Sequence, residues 1–364
     1  MKITDLYIDQ DVLDLPATRV ICDRLKMPGQ VVDSADPVYE KLSRTAAPVD
    51  QGKKILFLTR NKGAFLRPCP GTDYYTCCNY TILHFGTFCT MDCSYCILQS
   101  YFHPPVLQFF VNHNDMDASL DEFFQQKKRA RIGTGEFTDS LIWEDIYPFT
   151  SHLIKKFAAQ NHAILEVKSK TVAIDHLLTL PHNQKTIMAW SLNTSDIVRT
   201  EERRTASLDA RLAAAAKCRD HGYPLAFHFD PLIIYPGAEA AYRLIIEKLF
   251  ATIRPENIVW ISLGTFRFMP DLKAIIEQRF DRSKIIYGEF VRGLDGKMRY
   301  FKPLRIRFYQ QIVSFIREFA PHVTLYFCME DDEVWEKSFG FAPHQYGGLP
   351  MMLDQSAARH CGLL

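Results

Sequence analysis

The chain has 364 residues, of which 47% are hydrophobic, and its 43 Lys and Arg residues nearly balance its 42 Asp and Glu residues. This composition excludes a disordered chain, and any attraction to a polyanion must come from a local basic patch. No apolar run is long enough to cross a bilayer and the N-terminus lacks the features of a signal peptide, so we expect a soluble, cytoplasmic protein with no membrane partner.

Residues 1–78 contain several Pro and Gly residues and are predicted to form an N-terminal layer. From about residue 79 onward, short β-prone runs alternate with segments of helical pattern, which is typical of a parallel sheet with helices packed outside it. The predicted strands are Tyr80–Gly86, Arg131–Glu136, Ala163–Val167, Ile187–Leu192, Leu225–Phe229, Ile258–Leu263 and His322–Phe327.

Seven strands of this kind predict an α/β fold, a partial or distorted (β/α) barrel over residues 79–329, with residues 330–364 as a short C-terminal extension. Between two of the strands, Ser207 and Gly222 bound a segment with the pattern of an N-capped helix. Barrel enzymes build their sites on loops at the carboxyl ends of the strands. A cysteine-rich loop follows the first predicted strand, where an active site is therefore expected.

That loop holds Cys89, Cys93 and Cys96 in the spacing C-x3-C-x2-C, within a chain whose ten cysteines are expected to be reduced. Three thiolates on one loop can bind three irons of a [4Fe–4S] cubane and leave the fourth iron to S-adenosylmethionine (SAM). Zinc and ordinary electron-transfer clusters usually need four protein ligands. With Tyr95 just before the last cysteine, the loop predicts a radical SAM enzyme. The alternatives are a structural zinc site that borrows other ligands and three unrelated buried thiols.

The sequence also resembles the spore photoproduct lyase family of radical SAM DNA-repair enzymes, through Cys-Ser-Tyr-Cys-Ile-Leu-Gln at 93–99 and the extended segment Leu107–Asn112. Further similar stretches lie at 174–178, 190–193, 209–215 and 276–280. The resemblance implies a partial (β/α)6 barrel with a [4Fe–4S] cluster and SAM as cofactors. It also implies a flavodoxin- or ferredoxin-type reductant, and cleavage of SAM to a 5′-deoxyadenosyl radical that abstracts hydrogen from a substrate.

The family's SAM-binding lysine and serine fall on Lys170 and Ser191. Independently, Gly135 and Glu136 close the second predicted strand, where a glycine permits close backbone approach and a carboxylate can pair with the SAM amino group. Without the resemblance, Lys170 and Glu136 could equally be solvated surface charges. The predicted cofactor-binding residues are Tyr95, Gly135, Glu136, Ser140, Lys170, Ser191 and Asn193.

Two positions depart from the family. Phe137 stands where the family has its hydrogen-donating cysteine, and Ile97 stands where a tyrosine follows the third cluster cysteine. Phenylalanine cannot donate a hydrogen atom to a substrate radical. Cys328, at the end of the last predicted strand, is the candidate catalytic thiol, with a buried inert cysteine as the alternative. Cys69, Cys77 and Cys78 could join an auxiliary metal site, but their spacing matches no metal-binding pattern, and packing is the expectation for them.

The segment Tyr287–Lys302 has turn residues between two β-prone arms and is predicted to form a hairpin, where the resemblance implies contact with DNA. Arg292, Lys297 and Arg299 are the candidate substrate-binding residues, since cations interleaved with aromatic side chains can bind phosphates and stack on bases. A solvated hairpin with ordinary surface charges is the alternative.

The sequence therefore predicts a radical SAM enzyme of lyase type whose substrate is a nucleic acid lesion. A peptide or small-molecule substrate is the enzymatic alternative. The alternative from another class is a non-catalytic iron–sulfur or zinc protein that binds nucleic acid.

Overall fold

The computed structural model describes residues 2–72 and 74–364. The strands are Asp5–Asp9 (β1), Gly29–Val32 (β2), Ile55–Thr59 (β3), Leu66–Pro68 (β4), Thr81–Leu83 (β5), Gly86–Thr87 (β6), Asp92–Cys93 (β7), Leu107–Phe110 (β8), Ala130–Gly133 (β9), Ala163–Ser169 (β10), Thr186–Ser191 (β11), Glu202–Arg203 (β12), Leu225–Leu232 (β13), Ile258–Thr265 (β14), Arg267–Phe268 (β15), Phe290–Arg292 (β16), Met298–Tyr300 (β17) and Leu325–Phe327 (β18).

The α-helices are Pro16–Leu25 (α1), Asp36–Ser43 (α2), Pro48–Gly52 (α3), Leu98–Tyr101 (α4), His113–Gln125 (α5), Phe149–Ala158 (α6), Ser195–Glu201 (α7), Leu208–Asp220 (α8), Ala238–Thr252 (α9), Pro270–Arg279 (α10), Lys302–Phe319 (α11), Asp332–Phe339 (α12) and Leu349–Cys361 (α13). Short 3-10 helices cover Gln10–Val12, Pro255–Asn257 and Pro343–Tyr346. Among the helices of the described residues, none has both the length and the apolar character needed to span a membrane.

The main sheet has the strand order β18-β14-β13-β11-β10-β9-β5-β4, and every pair from β5 to β18 is parallel. Only β4 runs antiparallel to its neighbour. All the strands predicted for the barrel contribute to this sheet. It curls as a partial barrel whose two edges, β18 and β4, are not paired with each other, which confirms the predicted fold class.

The first predicted strand, Tyr80–Gly86, is in fact two short strands in different sheets. After β5 the chain leaves the main sheet, and β6 pairs antiparallel with β8. Gly86 permits this change because a Cβ there would lie 2.6 Å from the carbonyl oxygen of Gln108. The single apolar run therefore connects the eight-stranded and the five-stranded sheets.

The second sheet has the order β2-β1-β3-β8-β6 and forms the N-terminal layer. Its strands β1, β2, β3 and β8 are parallel. The strands β6 and β8 come from beyond residue 78 and flank the cysteine-rich loop on both sides along the chain. The layer thus holds the ends of that loop.

Helix α8 follows the predicted capping pattern, since the Ser207 side chain accepts a hydrogen bond from the Ala210 N–H and Gly222 adopts a φ of +83° just beyond the helix. The C-terminal segment packs on the outside of the main sheet. There, Asp354 pairs with Arg131 of β9 at 2.7 Å, and the Lys185 ammonium donates to the carbonyl of Cys361 at 2.6 Å.

Candidate active site

A cavity of about 340 Å³ opens where the parallel strands of the main sheet reach their carboxyl ends. Its near wall consists of the cluster loop, residues 89–96, and of residues that close β9, β10 and β11. Its far wall is formed by Pro70, Asp230, Arg267, Lys297 and Met329. The position agrees with the rule that sites of barrel enzymes lie at this end of the sheet.

The cluster loop is fixed to the rest of the barrel by a short antiparallel strand pair. In that pair, β7 lies against β12 with Cys93 opposite Glu202. Cys89 and Cys93 are buried, Cys96 is half-buried, and all three line the cavity. The spacing of the three cysteines therefore brings three thiols to one wall of one cavity.

Side chains from outside the loop hold its backbone. The side-chain amide of Gln99 donates to the carbonyls of Cys93, Ser94 and Cys96 at 3.2, 3.0 and 3.3 Å. The buried ammonium of Lys53 donates to the carbonyls of Cys89 and Met91. Asp92 lies 3.4 Å from Lys53 and 2.9 Å from the Arg279 guanidinium. Arg279 also pairs with Asp50 at 2.5 Å, so the two cations face two carboxylates and the loop is held without burying an isolated ion.

These thiols fit a [4Fe–4S] cluster by their chemistry. None of them is in a disulfide, and the Met91 N–H donates to the Cys89 sulfur at 3.4 Å, as suits a thiolate ligand. Within residues 2–72 and 74–364, no three His, Cys, Asp or Glu side chains are already arranged around a single ion. A cubane does not require that arrangement, because it takes its three thiolates at three separate irons.

Beside the loop, Lys170 is the centre of a buried charge network. Its ammonium donates to the Tyr95 hydroxyl at 2.6 Å and lies 3.1 Å from Glu202, whose other oxygen is 2.6 Å from Arg211. Although burial alone would raise the pKa of Glu202, the cations Lys170 and Arg211 lower it to about 2. Arg211 also donates to the carbonyl of Ser191 at 2.8 Å. Tyr95, Lys170 and Ser191 all line the cavity.

Gly135 and Glu136 line the cavity next to this network. A Cβ at Gly135 would lie 2.8 Å from the Lys168 carbonyl oxygen, so glycine is needed where the end of β9 approaches β10. The Glu136 carboxylate accepts a hydrogen bond from Tyr80 at 2.9 Å and lies 3.5 Å from the Lys168 ammonium. About a third of its side chain remains exposed, which leaves it available to a ligand.

Two predicted cofactor-binding residues lie outside the cavity lining. Ser140 is buried and its hydroxyl accepts hydrogen bonds from the Thr134 hydroxyl and the Lys168 N–H, at 2.7 and 3.1 Å. The buried side chain of Asn193 bonds to Thr194, Tyr242 and Pro231. Both side chains thus secure the loops behind the near wall.

The far wall carries a different set of charges. Arg267 donates to both oxygens of Asp230, at 3.2 and 3.1 Å, and also to the Cys328 sulfur at 3.3 Å. Burial raises the pKa of the Cys328 thiol. Cys328 is not among the residues that line the cavity, although Arg267, which it contacts, and its neighbour Met329 are.

Phe137 is packed away from the cavity. Its ring stacks on Tyr101 at 6.1 Å and meets the edges of His84 and Phe102 at 4.8 and 6.2 Å. Ile97, by contrast, lines the cavity and is 38% exposed. The two positions that depart from the family are therefore filled by apolar side chains, one packed and one facing the chamber.

The predicted hairpin is present, with β16 and β17 paired antiparallel and β15 added at its edge. Its three candidate cations are in different surroundings. Arg299 is buried and lies 2.7 Å from Asp295, and Lys297 contacts the same carboxylate at 3.0 Å while lining the cavity. Arg292 is exposed. Pairing with Asp295 removes Arg299 from the set of free surface cations.

Several residues in or beside the cavity are absent from the sequence prediction. Lys168 could have been found, because it lies near the end of β10 and two residues before Lys170, the spacing that places side chains on the same side of an extended chain. Glu202 and Arg267 carry no such signal, since only the folded chain brings them to Lys170 and Asp230.

A family model described as spore photoproduct lyase matches residues 74–317. The spore photoproduct lyase of Bacillus subtilis (strain 168) is 27% identical over 253 residues, which cover 66% of this chain and 74% of that protein. The enzyme of the same name from Geobacillus sp. (strain Y412MC61) is 28% identical over 212 residues, 57% of this chain and 62% of that protein.

Solved structures share the fold. A cysteine-to-alanine mutant of spore photoproduct lyase aligns over 90% of this chain and all of its own, with a TM-score of 0.80 and 21% identity. A double mutant with bound AdoMet and dinucleoside spore photoproduct aligns over the same shares with a TM-score of 0.76 and 20% identity.

Proposed function

Because this chain belongs to the spore photoproduct lyase family of radical SAM enzymes, we propose that it acts on a lesion in nucleic acid with a [4Fe–4S] cluster and SAM as its cofactors. The observation that supports this most is that three reduced thiols and the predicted SAM-binding residues Tyr95, Glu136, Lys170 and Ser191 line one cavity.

In this proposal Cys89, Cys93 and Cys96 hold the cluster. The near wall holds SAM, with Glu136 facing its amino group and Lys170 and Ser191 its remaining polar groups. When bound together, the cluster and SAM supply a 5′-deoxyadenosyl radical, given an electron from a flavodoxin- or ferredoxin-type reductant. The protein's own part is to orient SAM and to shield the chamber from water.

The substrate enters from the side of the far wall and the hairpin. A base that reacts inside a chamber of this size must be unstacked from its neighbours, and the exposed Arg292 can bind the flanking phosphates. A dinucleoside spore photoproduct, the molecule bound in one related structure, is the first compound to test.

The product-forming step differs from that of the family. Phe137 holds no transferable hydrogen, and Cys328 contacts Arg267 but is not among the residues that line the cavity. The outcome we propose therefore needs no thiol at this point, such as a rearrangement or a bond formation.

The test is anaerobic reconstitution with iron and sulfide, followed by SAM and a strong reductant, with 5′-deoxyadenosine quantified by chromatography. We expect about four irons per chain and formation of 5′-deoxyadenosine. A single zinc in place of iron would contradict the radical SAM assignment.

The second arm adds the dinucleoside spore photoproduct. We expect no conversion to two thymidines, and Cys328→Ala should behave like the parent protein. Clean repair by the parent would contradict the proposed outcome, and repair lost in Cys328→Ala would identify Cys328 as the donor. A lack of any nucleic acid binding at low salt would favour a peptide or small-molecule substrate.

A further inference from the structure

Cys69, Cys77 and Cys78 are brought together by the pairing of β4 with β5. Pro68 lies opposite Thr81 in this pair, and the Cys69 N–H donates to the Tyr80 carbonyl at 3.0 Å. This pairing sets Cys69 opposite Tyr80, two residues after the consecutive cysteines Cys77 and Cys78. The contact depends on strand pairing, which explains why the cysteine spacing alone does not indicate it.

Each of the three thiols perturbs the pKa of the other two, which makes them close neighbours, and none is in a disulfide. The Asn79 N–H also donates to the Cys77 sulfur at 3.4 Å. A Cβ at Gly71 would lie 2.7 Å from that sulfur, so the turn after Cys69 closes around Cys77 and tolerates only glycine without displacement. Three thiols and a backbone donor thus form a compact sulfur-rich group.

This group lies next to the cavity but is separate from the cluster loop. Pro70, between Cys69 and Gly71, is part of the far wall. The carbonyl of Cys78 accepts a hydrogen bond from Arg131 at 2.6 Å, which fixes the backbone of the second ligand-bearing segment. Both segments are therefore held in place by contacts that do not involve their sulfur atoms.

We propose that Cys69, Cys77 and Cys78 bind a zinc ion as three thiolate ligands, with the fourth coordination position open. Three soft sulfur ligands suit zinc, and a set of three protein ligands leaves a position for water or another small ligand. Each thiol that is protonated releases its proton to solvent as its metal–sulfur bond forms.

Within the described residues, the three thiols are neighbours but do not surround a common centre. Binding therefore requires rotation about the side-chain torsions. Such rotations cost far less than three zinc–thiolate bonds supply. The backbone does not have to move, because the turn at Gly71 and the β4–β5 pair already fix the backbone positions of the cysteines.

The experiment measures zinc and iron together in the full-length protein, purified without oxygen and reconstituted with iron and sulfide. We expect about one zinc per chain beside the iron of the cluster loop. Cys77→Ser should lose at least about nine-tenths of the zinc and keep its iron, whereas Cys93→Ala should do the reverse. Cys22→Ser is the matched control, since Cys22 is a half-buried free cysteine of the N-terminal layer, and it should keep both metals.

Gly71→Ala gives a second variant that keeps all three ligands. Its Cβ should displace the Cys77 sulfur and weaken zinc binding at least about tenfold in a chelator competition. Cobalt replacement should give the visible absorption of a tetrahedral thiolate site in the parent but not in Cys77→Ser. The proposal is overturned if the parent holds no zinc, if Cys77→Ser keeps it, if iron occupies this group instead, or if two of the three cysteines are joined in a disulfide.

Discussion

The two walls of the cavity carry different arrangements of charged residues. On the near wall, the charges of Lys170, Glu202 and Arg211 compensate one another in a buried network beside the cluster loop. On the far wall, Arg267 pairs with Asp230 beside a thiol, and Lys297 comes from a hairpin at the rim. The residues that the family resemblance assigns to SAM lie on the near wall. Of the two departures from the family, Ile97 lies beside the cluster loop and Phe137 is packed outside the cavity. We propose that the near wall serves the cofactors and the far wall the substrate.

The largest expected effect tests the near wall. Cys93→Ala removes one of the three cluster ligands, so SAM cleavage should fall to background and the iron of the loop should be lost. Iron content and 5′-deoxyadenosine formation measure both consequences. Cys218→Ala, which changes a buried cysteine on the outer helix α8, is the control and should retain both.

Lys170→Ala should weaken SAM binding by about 10- to 100-fold, since a charge-assisted hydrogen bond contributes roughly 1.5–3 kcal/mol. The iron content should stay unchanged, because Lys170 contacts no backbone group of the cluster loop. Equilibrium binding of SAM to the reconstituted protein measures this. The far-wall variant Lys297→Ala should bind SAM like the parent. An equal loss of SAM affinity in the two variants would show that the two walls do not differ in cofactor binding.

Asp295→Asn tests how much the ion pairs of Asp295 with Arg299 and Lys297 stabilise the fold. Although burial alone would raise the pKa of Asp295, its hydrogen bonds with Arg299 and Lys297 lower it to about 2. The folded pKa lies below the unfolded value of about 3.9, so the carboxylate stabilises the fold above pH 4, and this contribution is lost as the pH falls through about 2.

The variant should therefore be less stable at pH 7, by about 2 kcal/mol, with the difference from the parent shrinking as the pH is lowered from 4 towards 2. Urea unfolding at several pH values measures this. Asp14→Asn, which changes a highly exposed carboxylate paired with Arg19, is the control and should differ little from the parent at any pH. A difference that grows on acidification would show that Asp295 is not held as a carboxylate.

The smallest expected effect concerns the rim. Arg292→Ala should weaken binding to single-stranded DNA by only about two- to fivefold and lower the slope of the salt dependence by about one, as expected for one phosphate contact. Binding titrations at several salt concentrations measure both values. Arg44→Ala, an exposed cation remote in sequence from the hairpin, should leave the slope unchanged.

Much of the barrel follows from local sequence patterns. Short apolar runs bounded by turns indicate its parallel strands, and the Ser207 cap and Gly222 mark the ends of α8. The division of Tyr80–Gly86 between two sheets could not be seen, because it depends on the pairing of Gly86 with Phe109, more than twenty residues away. Periodicity reports which face is buried and does not report the partner strand.

The candidate site shows the same limit. The cysteines of the cluster loop are close in sequence, so their spacing carries the prediction. Glu202, which pairs with Lys170 behind the cavity lining, and Arg267, which lines the cavity, are placed only by tertiary contacts and have no local signature. Ser140 and Asn193 show the opposite case. Both are predicted to bind the cofactor because they lie near a motif, but their side chains form hydrogen bonds with neighbouring residues outside the cavity lining.

The residues that hold the cluster loop are synthesised at very different times. The loop is steadied from one side by Lys53, which is synthesised before it, and from the other by Arg279, which is synthesised almost two hundred residues later. A nascent chain on the ribosome therefore exposes its thiols long before their surroundings are complete. The contacts that hold the loop are complete only after helix α10 has left the ribosome.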